Sequence, residues 1–380
     1  MHELTGNIIT EKESFHGRIT WEGERITAVE KSGTAIDGEP LVLAGFIDVH
    51  LHGLGPYTAE DIAGCKGMAE YAPTTGCTML CPTLSCAPTD YLVGMMASIR
   101  ELMETPPKGA VIAGTHCEGP WLNPVHRGGM NAKMLRPPTM SEAQAFLDAA
   151  KGTLKLITIA PEMPGATEVI RMLAANGVTV SAGHTGCPPE WLDAAIEAGV
   201  SEICHLFDTF ACPVAEQGIR RPALTDMVII NDNVFKEIIM DGLHVPPPLI
   251  HLVRRASGAE HIIGITDAMQ GAGMKEGHFT DLGVAYTVRE GDFARRDDTG
   301  EILGSSLSMN QAFHNMTTRF GFSPSEASMC LSANPARTLK MDRQTGRLAP
   351  GLFADITVLE ADRKTVKACF VRGERMFAAL

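Results

Sequence analysis

Between residues 46 and 269 the hydrophobic residues fall into short runs of strand length, separated by longer amphipathic stretches. Eight runs read as strands: FIDVHLH (46–52), CTMLCPTL (77–84), AVIAGTHCEG (110–119), LKLITIAPE (154–162), VTVSAGHT (178–185), EICHLF (202–207), FKEIIMDGLH (235–244) and HIIGITDAM (261–269). In the stretch ATEVIRMLAANG, Val169, Ile170, Leu173 and Ala174 recur at helical spacing, and Asn176-Gly177 supplies a stop. Strands alternating with helices in this way predict an α/β fold, a (β/α)8 TIM-like barrel over residues 46–345. The two ends behave differently. Residues 1–45 and 346–380 alternate short apolar runs with turn residues, which predicts one small β-sandwich domain built from both termini. After the eighth strand, the Gly- and Asp-rich stretch 271–304 is too long for an ordinary connection and is expected to form a hairpin or loop over the barrel mouth.

Composition narrows the function. A formal charge of −13 with no Lys/Arg run excludes a nucleic-acid footprint. No run approaches the roughly 20 apolar residues of a membrane span, and MHELTGNIIT lacks the basic-then-apolar pattern of a signal segment. The expectation is a cytoplasmic protein with no nucleic-acid or membrane partner. Its ten cysteines contain no CxxC pair and lie mostly in apolar stretches, so reduced packing residues are expected rather than a zinc ribbon or redox motif. On strands, Cys117 and Cys204 would point away from their neighbours Glu118 and His205.

Five of the predicted strands end in residues that can hold metal ions: His50 with His52, Glu118, His184, His205 and Asp267. A parallel barrel gathers such ends at one face. His50 and His52 are two apart, so on a strand both face the same ion. Taken singly, Glu118 could be a cap or salt bridge, each histidine a core residue, and Asp267 a helix N-cap. Together they read as a metal-dependent hydrolase. Asp267 is the candidate for proton transfer, taking a proton from the attacking water and delivering one to a leaving nitrogen, as amide hydrolysis requires.

The segments GFIDVHLHG, THCEGPWLNP, APE, SAGHTG, CHLF, MDGLH and TDAM, in this order and with PGLFADITVLE near the end, resemble the amidohydrolase superfamily. Within it, the chain is similar to the N-acetylglucosamine-6-phosphate deacetylases. The resemblance implies a barrel with a small terminal β-domain, a homodimer, and removal of acetate from an amino sugar phosphate. It also implies that Glu118, His184 and His205 are primary metal ligands. His50 with His52 would hold a second ion and Glu118 would bridge, giving one or two divalent ions per subunit, Zn2+ or Fe2+ by ligand type. Asp267 resembles the general base and acid. His244 of DGLH resembles a substrate contact, and Arg220 a phosphate contact reaching in from a dimer partner.

Two departures bear on substrate. The family's HLFNAM-like segment is here His205-Leu206-Phe207-Asp208-Thr209-Phe210, placing a carboxylate and Thr209 at substrate-contact positions. Met130 of HRGGMN stands where a histidine is usual and cannot donate a hydrogen bond; His126 lies nearby in sequence. A galactosamine-type or unphosphorylated substrate therefore stays open. So do a cyclic amidase or deaminase, although LKLITIAPE offers no evident catalytic lysine, and a non-catalytic sugar-phosphate binder.

Overall fold

The computed structural model describes residues 1–379. Eight parallel strands follow one another around the barrel: Phe46–Leu51, Cys77–Leu84, Thr115–Glu118 (preceded by the short piece Val111–Ile112), Leu154–Ile159, Thr179–Ala182, Val200–Ile203, Phe235–Ile239 and Ile262–Ile265. The first and eighth meet at their carboxyl ends, where His52 N–H donates to the carbonyl of Ala268 at 2.8 Å and Asp267 N–H to that of His50 at 2.9 Å. The barrel is thus nearly closed. Helices cover the outside; Val169, Ile170 and Leu173 of the helix Ala166–Ala175 are buried against it, as the sequence spacing predicts. Each such side chain contributes about 1.5–3 kcal/mol by leaving water.

The inward side is unusually polar. Asp48, His50, Thr83, His116, Thr158, Glu202 and Glu237 are all buried and come from six different strands. Several of them meet one another: His116 lies between the hydroxyls of Thr158 (2.9 Å) and Thr83 (3.3 Å), and its ring meets that of His50 edge-on at 4.6 Å. Burial drives the His116 pKa down to about 3, so this imidazole is a neutral spacer.

Both termini join one seven-stranded sheet, in which Leu41–Ala44 pairs with His2–Ile9 on one side and Ile356–Leu359 on the other. Three strands separate Ser14–Glu22 from Val366–Val371, which in a flat sheet would hold them about 19 Å apart. Trp21 of the first nevertheless packs edge-to-face on Phe370 of the second at 5.2 Å. The sheet curls over its own core of Ile8, Ile19, Val42 and Ile356, as a small sandwich requires. The 271–304 excursion is an antiparallel four-stranded meander, Glu276–Asp281, Val284–Arg289, Phe293–Arg296 and Ile302–Ser305, standing at the barrel mouth. Among the described residues, no helix is long and apolar enough to cross a membrane.

Candidate metal centre

Strand register carries the candidate ligands to one face. Glu118 closes its strand; His184, His205 and Asp267 each lie two residues past theirs; His50 and His52 lie at and just beyond the end of the first. Close packing explains the flanking glycine of SAGHTG: a Cβ on Gly183 would stand 2.5 Å from the Cβ of Cys204. His184 and Asp267 both adopt left-handed backbone conformations (φ +48°), a strain of about 1–3 kcal/mol each that the surroundings must hold. At Asp267 the restraint is visible: its N–H donates to His50 and its carbonyl accepts from Ser305 N–H at 2.8 Å.

All five candidate ligands and Asp267 converge. Glu118 Oε1 is 3.0 Å from His184 Nε2 and 2.9 Å from His205 Nε2, and those two nitrogens are 3.2 Å apart. Glu118 Oε2 is 3.1 Å from His52 Nε2, which is 3.4 Å from Asp267 Oδ1. His50 Nε2 stands between the halves, 3.4 Å from Glu118 and 3.6 Å from Asp267.

The hydrogen-bond pattern tests whether these residues suit a cation. His184 Nδ1 faces the carbonyl of His126 at 2.9 Å, His52 Nδ1 that of Thr83 at 3.1 Å, and His50 Nδ1 the carboxylate of Glu237 at 3.1 Å. Carbonyls and carboxylates only accept, so each Nδ1 carries the hydrogen and, in a neutral ring, each Nε2 is a bare lone pair. Three lone pairs then face carboxylate oxygens, an arrangement that repels unless a positive charge lies among them. Protons alone would require several buried imidazolium ions. Although burial pushes all three down, hydrogen bonds to Asp267 and Glu118 hold His52 up at about 10, Glu118 with Cys204 and Glu237 holds His50 well above its usual range, and Cys204 with Glu118 does the same for His205. A divalent ion does this more economically. Ligands around a tetrahedral ion at about 2.0–2.1 Å stand about 3.3–3.4 Å from one another, close to the spacing of Glu118, His184 and His205. The residues fit a metal.

A cavity of about 480 Å³ opens over the centre. His52, Glu118, His184, His205 and Asp267 line it, together with His244, Asp208, Thr209 and Met130. His244 Nδ1–H donates to Asp241 at 2.6 Å, while its Nε2 is buried without a partner among the described residues. Burial opposes its charge, but Asp241 raises the His244 pKa overall. Arg220 is not brought to this cavity: it sits on an exposed hairpin, paired with Asp226 at 2.7 Å. Among the described residues, no Lys or Arg lines the cavity, whereas Glu60, Asp208, Asp281 and Glu301 do.

Several participants escaped sequence reasoning. Cys204 was expected to point away from the centre, yet its Sγ lies 3.8 Å from Glu118 Oε1 and 3.7 Å from His50 Nδ1; the strand ends at Ile203, and strict alternation ends with it. Cys117 does turn into the outer core. Glu162 of the APE segment ties the rim together, accepting from Asn123, Thr185 and Gly186 at 2.5–2.8 Å. Its signal was the motif itself. Lys155 donates to Gly152 near the start of its strand, away from the centre.

Fold and site together define a metal-dependent barrel hydrolase. The chain matches the profile of the Amidohydrolase family over residues 41–376, and it belongs to that family. It is 29% identical over 353 residues to an N-acetylgalactosamine-6-phosphate deacetylase of Escherichia coli O157:H7, spanning 92% of this chain and 91% of that protein. It is 30% identical over 349 residues to the N-acetylglucosamine-6-phosphate deacetylase of Bos taurus (89% and 83%). Among solved structures, it superposes with a TM-score of 0.89 and 30% identity, over 99% of both chains, on an aspartate-to-alanine mutant of the Mycobacterium smegmatis N-acetyl-D-glucosamine-6-phosphate deacetylase in complex with N-acetyl-D-glucosamine-6-phosphate.

Proposed function

We propose that this enzyme removes the acetyl group from an N-acetylated amino sugar 6-phosphate, N-acetylglucosamine 6-phosphate in the first instance, releasing acetate and the free amine. The observation that carries the reading is the convergence of three outward-anchored histidines and Glu118 beside Asp267, at the floor of a cavity of about 480 Å³. Glu118, His184 and His205 would hold one divalent ion; His50 and His52 would hold a second, with Glu118 shared, and Zn2+ or Fe2+ suits this donor set. When bound, such an ion supplies Lewis acidity toward water and the amide carbonyl. Asp267 accepts a proton from the water that attacks the carbonyl carbon. As the C–N bond breaks, it returns a proton to the departing nitrogen. His244, charged through Asp241, donates Nε2–H to the substrate, while Thr209 and Met130 shape its cavity.

The phosphate would be met by Arg220 of the partner subunit in a homodimer. Val214, Ile219 and Ile230, exposed apolar residues on and near the Arg220 hairpin, give that face the character of an interface. Residues 1–45 with 346–380 would serve as one structural unit beside a catalytic barrel of 46–345, in a cytoplasmic enzyme.

A second reading is favoured by one specific feature. Asp208 and the acidic lining, which holds no Lys or Arg among the described residues, oppose a dianion, so an unphosphorylated N-acetylhexosamine is the competing substrate. Acetate release from N-acetylglucosamine and N-acetylgalactosamine, each with and without a 6-phosphate, decides between them. Preference for the phosphates supports the first reading and preference for the free sugars the second. No acetate from any of them refutes both.

A further inference from the structure

Two carboxylates lie behind the metal centre, away from the cavity, and take no part in the chemistry above. Glu237, on the seventh strand, and Glu202, on the sixth, are each fully buried. One oxygen of Glu237, Oε2, receives two hydrogen bonds: from Nδ1–H of His50 at 3.1 Å and from the backbone N–H of His205 at 3.2 Å. The Glu237 carbonyl also accepts from Leu206 N–H at 2.8 Å. Glu202 Oε2 accepts from the Thr338 hydroxyl. The remaining oxygens, Oε1 of both glutamates, have no partner among the described residues. Burial and the charge of Glu237 both push Glu202 well above the usual carboxylate range.

We propose that Glu237 is a positioning residue that holds the two halves of the metal centre in register. His205 belongs to one half and His50 to the other, and a single oxygen restrains both. At His50 it fixes the tautomer, so that Nε2 faces Glu118 and Asp267. At His205 it accepts from the main-chain N–H just beyond the strand end, between Cys204 and Leu206, whose N–H groups donate to the carbonyls of Ala182 and Glu237. Outer partners of this kind change metal affinity by about 10–100-fold when removed. The proposal rests on the metal reading and adds to it a cause for the second ion being held.

The test is the zinc-binding isotherm of the whole protein, read as stoichiometry and affinity rather than turnover. Wild type should bind two ions. Glu237→Leu, which removes the acceptor, should keep the first and bind the second about 10–100-fold more weakly. Glu237→Gln should restore it, since the amide carbonyl can still accept from both N–H groups. A second ion bound equally tightly by wild type and Glu237→Leu overturns the proposal and leaves the metal reading standing; wild type that binds no zinc overturns both. If Glu237→Leu does not fold, 15N histidine spectra of the zinc-loaded wild type decide. A hydrogen on His50 Nδ1, protected from exchange, supports the proposal, and one on Nε2 overturns it.

Discussion

Replacing Asp267 by Asn separates proton transfer from architecture with little collateral change. The bonds that pin this residue, N–H to His50 and carbonyl from Ser305 N–H, are main-chain and survive. Asn tolerates its φ of +48° as well as Asp does, so strain is not added. What disappears is a negative charge and proton acceptor 3.4 Å from His52 Nε2 and 3.6 Å from His50 Nε2. A positioned acid–base group contributes about 10²–10⁴ in rate, or about 2.7–5.4 kcal/mol of barrier. The group formed by Glu118, His184 and His205 does not touch the substituted atom, so at least one ion per chain should remain. Because proton transfer acts only in the transition state, kcat should carry the loss while KM changes little. The assay is acetate release and metal content on the same preparation. Turnover within tenfold of wild type at full metal content would refute the role; loss of all metal would show that Asp267 is needed to assemble the centre.

The phosphate question turns on Asp208, which is half-buried in the cavity wall. Asp208→Asn should raise the ratio of kcat/KM for phosphorylated over free substrate about tenfold, a modest figure because partial exposure screens the charge; an unchanged ratio would place the phosphate elsewhere. The His244–Asp241 pair predicts a pH effect. The folded pKa of His244 lies above its unfolded value, so the pair's stabilisation is fully present below the unfolded pKa of about 6.5 and is lost as pH rises through the raised folded value. Asp241→Asn should therefore move the alkaline limb of kcat/KM to lower pH and destabilise the protein more in acid than in base. Coincident pH–rate profiles would exclude charged His244 from binding.

What the sequence disclosed and what it hid divide along a physical line. Strand ends were legible because alternation, a terminal glycine and a ligand-type residue occur together, as in FIDVHLHG and SAGHTG. The candidate ligands that the structure brings together could therefore be named without coordinates, and the terminal sheet followed from pairing two similar ends. Glu202, Glu237 and His116 were not found, because each sits inside an apolar run where a buried polar residue reads as an interruption of the strand. Their side-chain partners are 32–187 residues away in sequence, so no local spacing announces them. Cys204 was misdirected for a related reason: alternation holds only while the ladder holds, and the chemistry of a parallel barrel begins where the ladder stops. Cavity character was hidden more deeply, since Glu60, Asp208, Asp281 and Glu301 come from loops of different strands and the meander. The inner wall behind the candidate metal centre and the loops that line the cavity are thus separate parts of the chain. A substitution such as Asp208 can therefore redirect substrate choice while His50, Glu118 and Asp267 keep the same hydrolytic geometry.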